Sequence, residues 1–281
     1  MIRSRNKIRD GSPVVRAIWV VVLLITVFTC LYPFVYMFIL SMMNTPSMKV
    51  NIATILNSHL SFANYKTLFT RYDYSRYILN SVIVTGSQII LVCLFSSMAG
   101  YAFAKKRFPG RGANFMLFLI LMMIPSQVTL IPKFLLSKEL GLINTYVGLF
   151  LPGTAGAGVI LMHQFMKTLP GTLLEAADID GCSEIRKYLS LVLPLSKPVL
   201  VTQAIMTFTS CWGELLWPLI MSTDRNMITL TVAITTLVER DVSKYGLIMA
   251  GNTIAMLPSL LMYMVAQKQF IEGITLSGTK L

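Results

Sequence analysis

Residues 169–198 read LPGTLLEAADIDGCSEIRKYLSLVLPLSKP, a polar island between two apolar runs in a 281-residue chain that is 55% hydrophobic and only 13% charged. Pro170 and Gly171 end the preceding run. Thr172 stands three residues before Glu175, the spacing of a capping box in which hydroxyl and carboxylate satisfy exposed backbone N–H groups, so a helix is expected to begin there. Glu175, Asp178 and Asp180 crowd its early turns, where negative charge suits the helix dipole, while Leu173, Leu174 and Ala177 offer a narrow apolar face. Gly181 can take the positive φ that ends such a helix. A second segment is expected from Ser183, with Ile185, Tyr188, Leu189 and Val192 at helical spacing, stopping at Pro194; Pro198 suits the first turn of the next run. Membrane-surface helices usually carry Lys and Arg on their polar face, whereas anionic lipid would repel this acidic first helix. Its acidity favours docking into a protein.

Outward from this island the chain is read as membrane-embedded. A hydrocarbon core takes about 20 apolar residues per helix. Six runs of about that length appear, at 17–43, 81–104, 114–131, 146–166, 199–221 and 247–266. The basic residues before the first run resemble a signal peptide, but the apolar part is too long and no small-residue cleavage site follows, so a retained span is expected. Basic loops stay cytoplasmic. With both ends inside, 15 of the 24 Lys and Arg fall on inner segments and nine on longer outer loops. The expected order is a cytoplasmic N-terminus (1–16), a transmembrane permease domain (17–266) with an inner loop at 167–198, and a cytoplasmic tail (267–281).

The formal charge of +12 is spread as topology signals, with no interleaved aromatic platform, so nucleic acid is not an expected partner. Cys30, Cys93, Cys182 and Cys211 show no metal or disulfide spacing. His59 and His163 lie far apart, without ligand neighbours at useful spacing, so no metal site is expected. A phosphate-binding G-x-x-x-x-G-K-[ST] loop is missing, and so is any nucleophile constellation, so neither ATP hydrolysis nor other catalysis is expected of this chain. Gly153, Gly156 and Gly158 in LPGTAGAG read as close helix packing.

EAADIDG (175–181) followed by LVLPLSKP resembles the cytoplasmic signature of inner-membrane permease subunits of bacterial ATP-binding-cassette (ABC) importers. NSVIVTGSQIILVCLFSSMAGYAFAKKRFPGRG, MMIPSQVTLIPKFLLSKELGLINTYVGLFLP, HQFMKTLPGTLLEAADIDG and WGELLWPL are similar to the carbohydrate branch, on the side of the smaller maltose permease. The resemblance runs from about Asn80 to the C-terminus. It departs at Gly213, where the family's WNEFLWPL has asparagine.

This resemblance implies an all-α polytopic membrane protein with six transmembrane helices, both termini cytoplasmic and the type I ABC-importer permease fold, in a bacterial cell membrane. It implies a second homologous permease, two ABC ATPase subunits that carry the ATP and Mg²⁺, and an extracytoplasmic sugar-binding protein; this chain binds no cofactor of its own. Glu175, Ala176, Ala177, Asp180, Gly181, Leu193 and Pro194 become ATPase-coupling residues. Gln267, Phe270 and Gly273 become contacts of a tail reaching the ATPases, against the alternative of a frayed terminus. Asp224, Asn226 and Thr229 become the outer loop that meets the binding protein.

Glu214 is an ionisable group in an apolar run and therefore a functional candidate. With Trp212, Trp217 and Asn252 it forms a possible substrate path; an interfacial aromatic belt with a snorkelled carboxylate is the alternative. Gln88, Ser96, Ser97, Gln203, Thr207 and Ser210 either line a cavity or bridge helices. The spans hold little positive charge, so a neutral oligosaccharide is preferred over a glycerol-3-phosphate-type substrate. A secondary transporter using Glu214 for protons stands as the rival, but no internal repeat supports it.

Overall fold

The structure is a computed structural model that describes residues 13–44, 51, 54–55, 58–154, 156–240 and 243–278, with side chains as far as Gln267 and without that of Ala157. The basic segment before Pro13, and the side chains of Phe270 and Gly273, lie outside the described residues. Helices dominate, and no strand occurs among the described residues. The chain divides into two compact units, one from Met1–Tyr72 and Leu237–Ile254, the other from Asp73–Thr236 and Ala255–Leu281.

In the first unit α1 (Pro13–Ser41) is a 29-residue helix, long enough at about 1.5 Å per residue to cross a hydrocarbon core of about 30 Å. Its apolar side chains point outward along most of its length, from Val14 through Val35, as expected of a helix whose solvent is lipid or a neighbouring membrane subunit. Its end is fastened by side-chain hydrogen bonds. Asn64, on α2 (Ala63–Arg71), donates to the Ser41 and Met43 carbonyls at 2.9 Å each, and Ser41 Oγ bonds the Tyr65 hydroxyl at 2.6 Å. These bonds satisfy carbonyls that a helix C-terminus otherwise leaves open.

The second unit is built on α3 (Tyr74–Lys105), 32 residues long. Against it pack α7 (Ala157–Thr168) and α10 (Lys197–Trp212). Small residues set the approach: a Cβ on Gly100 would lie 2.5 Å from Met162 Cβ and 3.0 Å from the His163 amide nitrogen. On Gly158 it would lie 2.8 Å from Ser96 Cβ and 2.9 Å from Gln203 Cδ. Lipid tails are as apolar as the side chains, so close van der Waals fit rather than water exclusion holds such helices together. Below the glycine contact, Tyr101, Met162, Met166, Tyr188, Val192 and Val199 form one buried cluster; Val84, Leu149 and Met221 form another.

The six apolar runs do not all become straight helices. Residues 13–41, 74–105 and 245–267 are each long and apolar enough to cross a membrane. The third run yields only α4 (Arg111–Met122), 12 residues or about 18 Å, shorter than the hydrocarbon core. Pro125 disfavours helical geometry at Ile124, and after a turn the chain resumes as α5 (Leu130–Glu139). The fourth run breaks into α6 (Tyr146–Phe150), a 3₁₀ turn over Leu151–Gly153 and α7, with a 51° bend. The fifth stops at Trp212 and restarts, after Gly213, Glu214 and Leu215, as α11 (Leu216–Met221). The chain continues through α12 (Leu230–Arg240) to α13 (Tyr245–Gly278), a 34-residue helix whose backbone runs well past the apolar segment.

Gly100→Val is expected to force α3 and α7 apart and destabilise the protein by about 1–3 kcal/mol, the usual cost of overpacking. Gly112→Val, where an added Cβ meets nothing within 4 Å, serves as the control; thermal denaturation in detergent separates the two.

Candidate functional site

Two features have the geometry of a site. The first is the polar hairpin. Its first arm, α8, spans Gly171–Ile179 and starts two residues before the expected position: Pro170, extended at ψ 131°, stands at the N-cap in place of Thr172, and no side chain caps the helix. The Thr172–Glu175 capping box therefore does not form, because the proline already turns the chain and places Thr172 inside the first turn. The other end follows expectation. Gly181 has φ +71°, its N–H donates to the Asp178 carbonyl at 3.1 Å and the Cys182 N–H to the Ala177 carbonyl at 2.9 Å, the paired bonds of a Schellman motif.

The second arm, α9 (Glu184–Leu195), is capped by Ser183, whose Oγ accepts from the Arg186 N–H. It does not stop at Pro194. A π-helical stretch over Tyr188–Val192 widens the backbone before the proline, so the ring is accommodated and the helix runs to Leu195. A 75° bend at Ser196 leads into α10, with Pro198 in its first turn as expected.

Of the residues expected to couple, Glu175, Ala176, Asp180, Gly181 and Pro194 are exposed, Ala177 is buried, and Leu193 packs half-buried against the Tyr188 and Val192 cluster. Ile179, which the sequence did not single out, is 88% exposed, and Ile185, expected on an apolar face, is 73% exposed.

Under the exposed face lies a charge cluster. Lys187 is 2% exposed and its ammonium is bonded by Asp178 from α8 and by Glu184 at 2.5 Å from its own arm. Glu184 also pairs with Lys106 and accepts from the Tyr101 hydroxyl at 3.4 Å. Hydrogen bonds from Lys106 and then Lys187 push the Glu184 carboxyl down to about 2. The Lys187 ammonium is held above its usual range by Asp178, then Glu184. Glu184 thus contributes its stabilisation in full above its ordinary value of 4.5 and loses it as pH falls through about 2. Lys187 contributes below its ordinary 10.5 and loses its bonds only above that.

The second feature is a cavity of about 280 Å³ between α3, α5, α6 and the break after α10. Glu214, Trp212 and Trp217 line it with Thr85, Gln88 and Lys133. Glu214 lies in the break at Gly213–Leu215, exposed at the cavity wall, and its carboxylate accepts from the Trp217 N–H at 3.4 Å. Both indoles are anchored: Trp212 Nε1 donates to the Ala255 carbonyl at 2.9 Å and Trp217 Nε1 to the Gly148 carbonyl at 3.0 Å. Trp212 is also stacked on Phe208 at 5.5 Å, so Trp217 has the freer ring. A second cavity, about 530 Å³, shares Gln88, Gly153 and Ser210 with the first and adds Ser96, Gln203 and Thr207. Gln88 reaches the Gly153 carbonyl at 3.1 Å because Gly153 has no side chain in the way.

Asn252 does not line these cavities; its amide donates to the Ile248 carbonyl within α13. Of the expected outer contact loop, Asp224 and Asn226 are exposed, but Thr229 is buried and lines the first cavity. The loop is held from below. Asn80 donates to the Asn226 and Ile228 carbonyls, and Asn144 Oδ1 accepts from the Thr223 and Asp224 N–H groups. Ser126 and Gln127, in the turn after α4, also line the first cavity; the Pro-Ser-Gln interruption of the third apolar run was their only signal. No group of His, Cys, Asp and Glu able to hold a metal occurs among the described residues.

Long and broken apolar helices define an all-α, multi-pass membrane protein. The chain belongs to the family of binding-protein-dependent transport system inner membrane components, whose family model matches residues 94–275. It is therefore a membrane component of a transport system and not an enzyme. The arabinooligosaccharides transport system permease protein AraQ of Halalkalibacterium halodurans is 33% identical, over 97% of this chain and 99% of the relative. The sn-glycerol-3-phosphate transport system permease protein UgpE of Agrobacterium fabrum is 29% identical, over 94% and 98%. Among solved structures, a chain of a bacterial ABC transporter involved in the import of the acidic polysaccharide alginate matches with a TM-score of 0.80 and 22% identity, covering 95% of this chain and 99% of that one. At that identity the likeness shows the fold, that of a type I ABC-importer permease.

Gly181→Val is expected to cost about 1–2 kcal/mol, since a β-branched side chain resists the left-handed conformation, while Gly181→Asn costs less. Thermal denaturation of the two variants checks the order. The hairpin's ion pairs predict one further outcome: the difference in melting temperature between wild type and Glu184→Gln stays constant from about pH 5 to 9 and shrinks only in stronger acid, as Glu184 protonates.

Proposed function

We propose that this chain forms half of the translocation path of an ATP-driven importer for a neutral oligosaccharide. The sugar is delivered by an extracytoplasmic binding protein, and transport is coupled to ATP hydrolysis through the Glu175–Gly181 hairpin. The observation that carries this reading is the hairpin's outer face, where acidic Glu175 and Asp180 flank the bare Ile179 on a short, well-terminated helix. Such a face suits insertion into a basic-rimmed, apolar cleft of a partner. In this reading the partners are a second permease, which completes the path, and two ATPase subunits, which hold the ATP and Mg²⁺.

All six apolar runs then cross the membrane, with both termini and the hairpin cytoplasmic. The short α4 completes its crossing through the turn that follows it. At about 1.5 Å per residue the 34-residue α13 exceeds a hydrocarbon core of about 30 Å by some 20 Å, so its end stands clear of the bilayer and carries Gln267, Phe270 and Gly273 toward the ATPases. On the opposite side Asp224 and Asn226 meet the binding protein.

For the substrate, the cavity walls are largely apolar and carry a few hydroxyl and amide groups, one carboxylate, Glu214, and one ammonium, Lys133. Opposite formal charges in the same wall suit a neutral polyhydroxylated ligand, with Trp217 offering a ring face and Glu214 accepting from hydroxyls. The relative named for arabinooligosaccharides agrees with this. The relative named for glycerol-3-phosphate supports a second reading, in which Lys133 binds a phosphate and the partner permease adds more positive charge.

Uptake by the reconstituted importer decides both points. Glu175→Arg is expected to abolish uptake and release the ATPase while the permease pair stays assembled; persistent uptake with the ATPase bound refutes the coupling role. Neutral arabino- or malto-oligosaccharides are expected to compete for uptake and glycerol-3-phosphate is not. Loss of uptake in Lys133→Met with competition by glycerol-3-phosphate establishes the phosphate reading instead.

A further inference from the structure

The buried Lys187 has no place in the docking face, and removing an ammonium from water is costly unless its bonds are made good. Here its bond to Asp178 crosses the joint between the arms, and its bond to Glu184, within one arm, leads on across a second joint. Asp178 belongs to α8, Lys187 and Glu184 to α9, and Glu184 continues to Lys106 and Tyr101 at the end of α3. Other contacts bind the hairpin to the same stretch of α3. The Tyr188 hydroxyl bonds Ser97 Oγ at 2.7 Å, and Lys105 Nζ donates to the Leu169 carbonyl at 2.5 Å, where the hairpin begins. Tyr101 also packs its ring on Tyr188 at 5.8 Å and lies under the Lys106 ammonium at 5.2 Å.

We propose that Lys187 is a positioning residue that clamps the two hairpin arms to each other and, through Glu184 and Lys106, to the end of α3, so that hairpin and helix move as one body. The proposal rests on the hairpin being the coupling element. Replacing a buried ion pair by apolar side chains often costs little stability, so what the ions add here is registry between three helices. The consequence is mechanical. From Lys105 the unbroken α3 reaches Gln88, Thr85 and Ser81 in the cavity wall, about 26–36 Å away at about 1.5 Å per residue. A displacement of the hairpin is thus delivered to that wall along one rigid rod. The clamp leaves Glu175, Ala176, Ile179 and Asp180 free for the partner.

The test measures sugar uptake and ATP hydrolysis together in the full reconstituted transporter, for Lys187→Met, Lys187→Arg and Lys106→Met. In Lys187→Met the uptake per ATP hydrolysed is expected to fall at least about five-fold, the low end of a site-to-site coupling, with the ATPase still bound. Lys187→Arg is expected to stay within about two-fold of wild type and Lys106→Met to fall between. An unchanged uptake per ATP in Lys187→Met overturns the proposal. So does a smaller yield of complex whose uptake per ATP is normal, the mark of a purely structural role. Should Lys187→Met fail to assemble, Glu184→Gln, which weakens the bridge to α3 and leaves Lys187 paired with Asp178, is expected to lower uptake per ATP, and a normal ratio overturns the clamp. Glu175→Arg separates the premises: coupling that survives it sinks the hairpin reading, whereas coupling lost there but normal in Lys187→Met sinks the clamp alone.

Discussion

The approach of α3 to α7 at Gly100 is the contact on which the second unit depends. It brings a helix backbone to within reach of the Met162 side chain with no Cβ between them. In lipid, helices gain little by hiding apolar surface from one another, so such closeness supplies the attraction. With α3 and α7 at that distance, Gly158 settles against Ser96 and Gln203 of the flanking helices, and Tyr101, Met162 and Met166 close over Tyr188 and Val192. The position of the hairpin follows from that closure.

Along the same helix, α3 then carries four jobs in sequence. Near its start Asn80 holds the loop at 226–228 and Ser81 accepts from the Leu230 N–H; further on, Gln88 holds the Gly153 turn between two cavities; Ser97 bonds Tyr188; and Tyr101 with Lys106 meets Glu184. A loop, a cavity wall and the acidic hairpin are fastened to one rod. A permease that must open and close a path needs such a member, because packed helices shift as bodies rather than bend continuously.

Much of this was legible in advance. Long uncharged runs, the acidic EAADIDG helix and the need for positive φ at Gly181 follow from residue chemistry alone, and the last appears as a two-bond helix stop at φ +71°. Other readings failed for local reasons. Thr172 did not cap because Pro170 had already set the chain's direction, and Pro194 did not stop its helix because a π turn made room for the ring. Thr229 read as part of an outer loop, yet Asn80 and Ser81 draw its neighbours inward and bury it. The proline and turn residues that break the third run, and the glycine that breaks the fifth, were visible as letters, but an average of hydropathy passes over them.

By itself the sequence determined the class of protein, because a hydrocarbon solvent leaves helices almost no alternative and apolar run length is a direct count. It also pointed to the family, by the resemblance of its motifs, and to the place of the acidic hairpin, for which short-range spacing suffices. Only the tertiary structure decided which polar residues face one another: that Glu214 and Lys133 share a cavity, that Asn252 bonds within its own helix, and that Lys187 is buried between Asp178 and Glu184. Those outcomes depend on where helices break and how closely glycines let them meet, distances of a few ångströms set between residues remote in the chain.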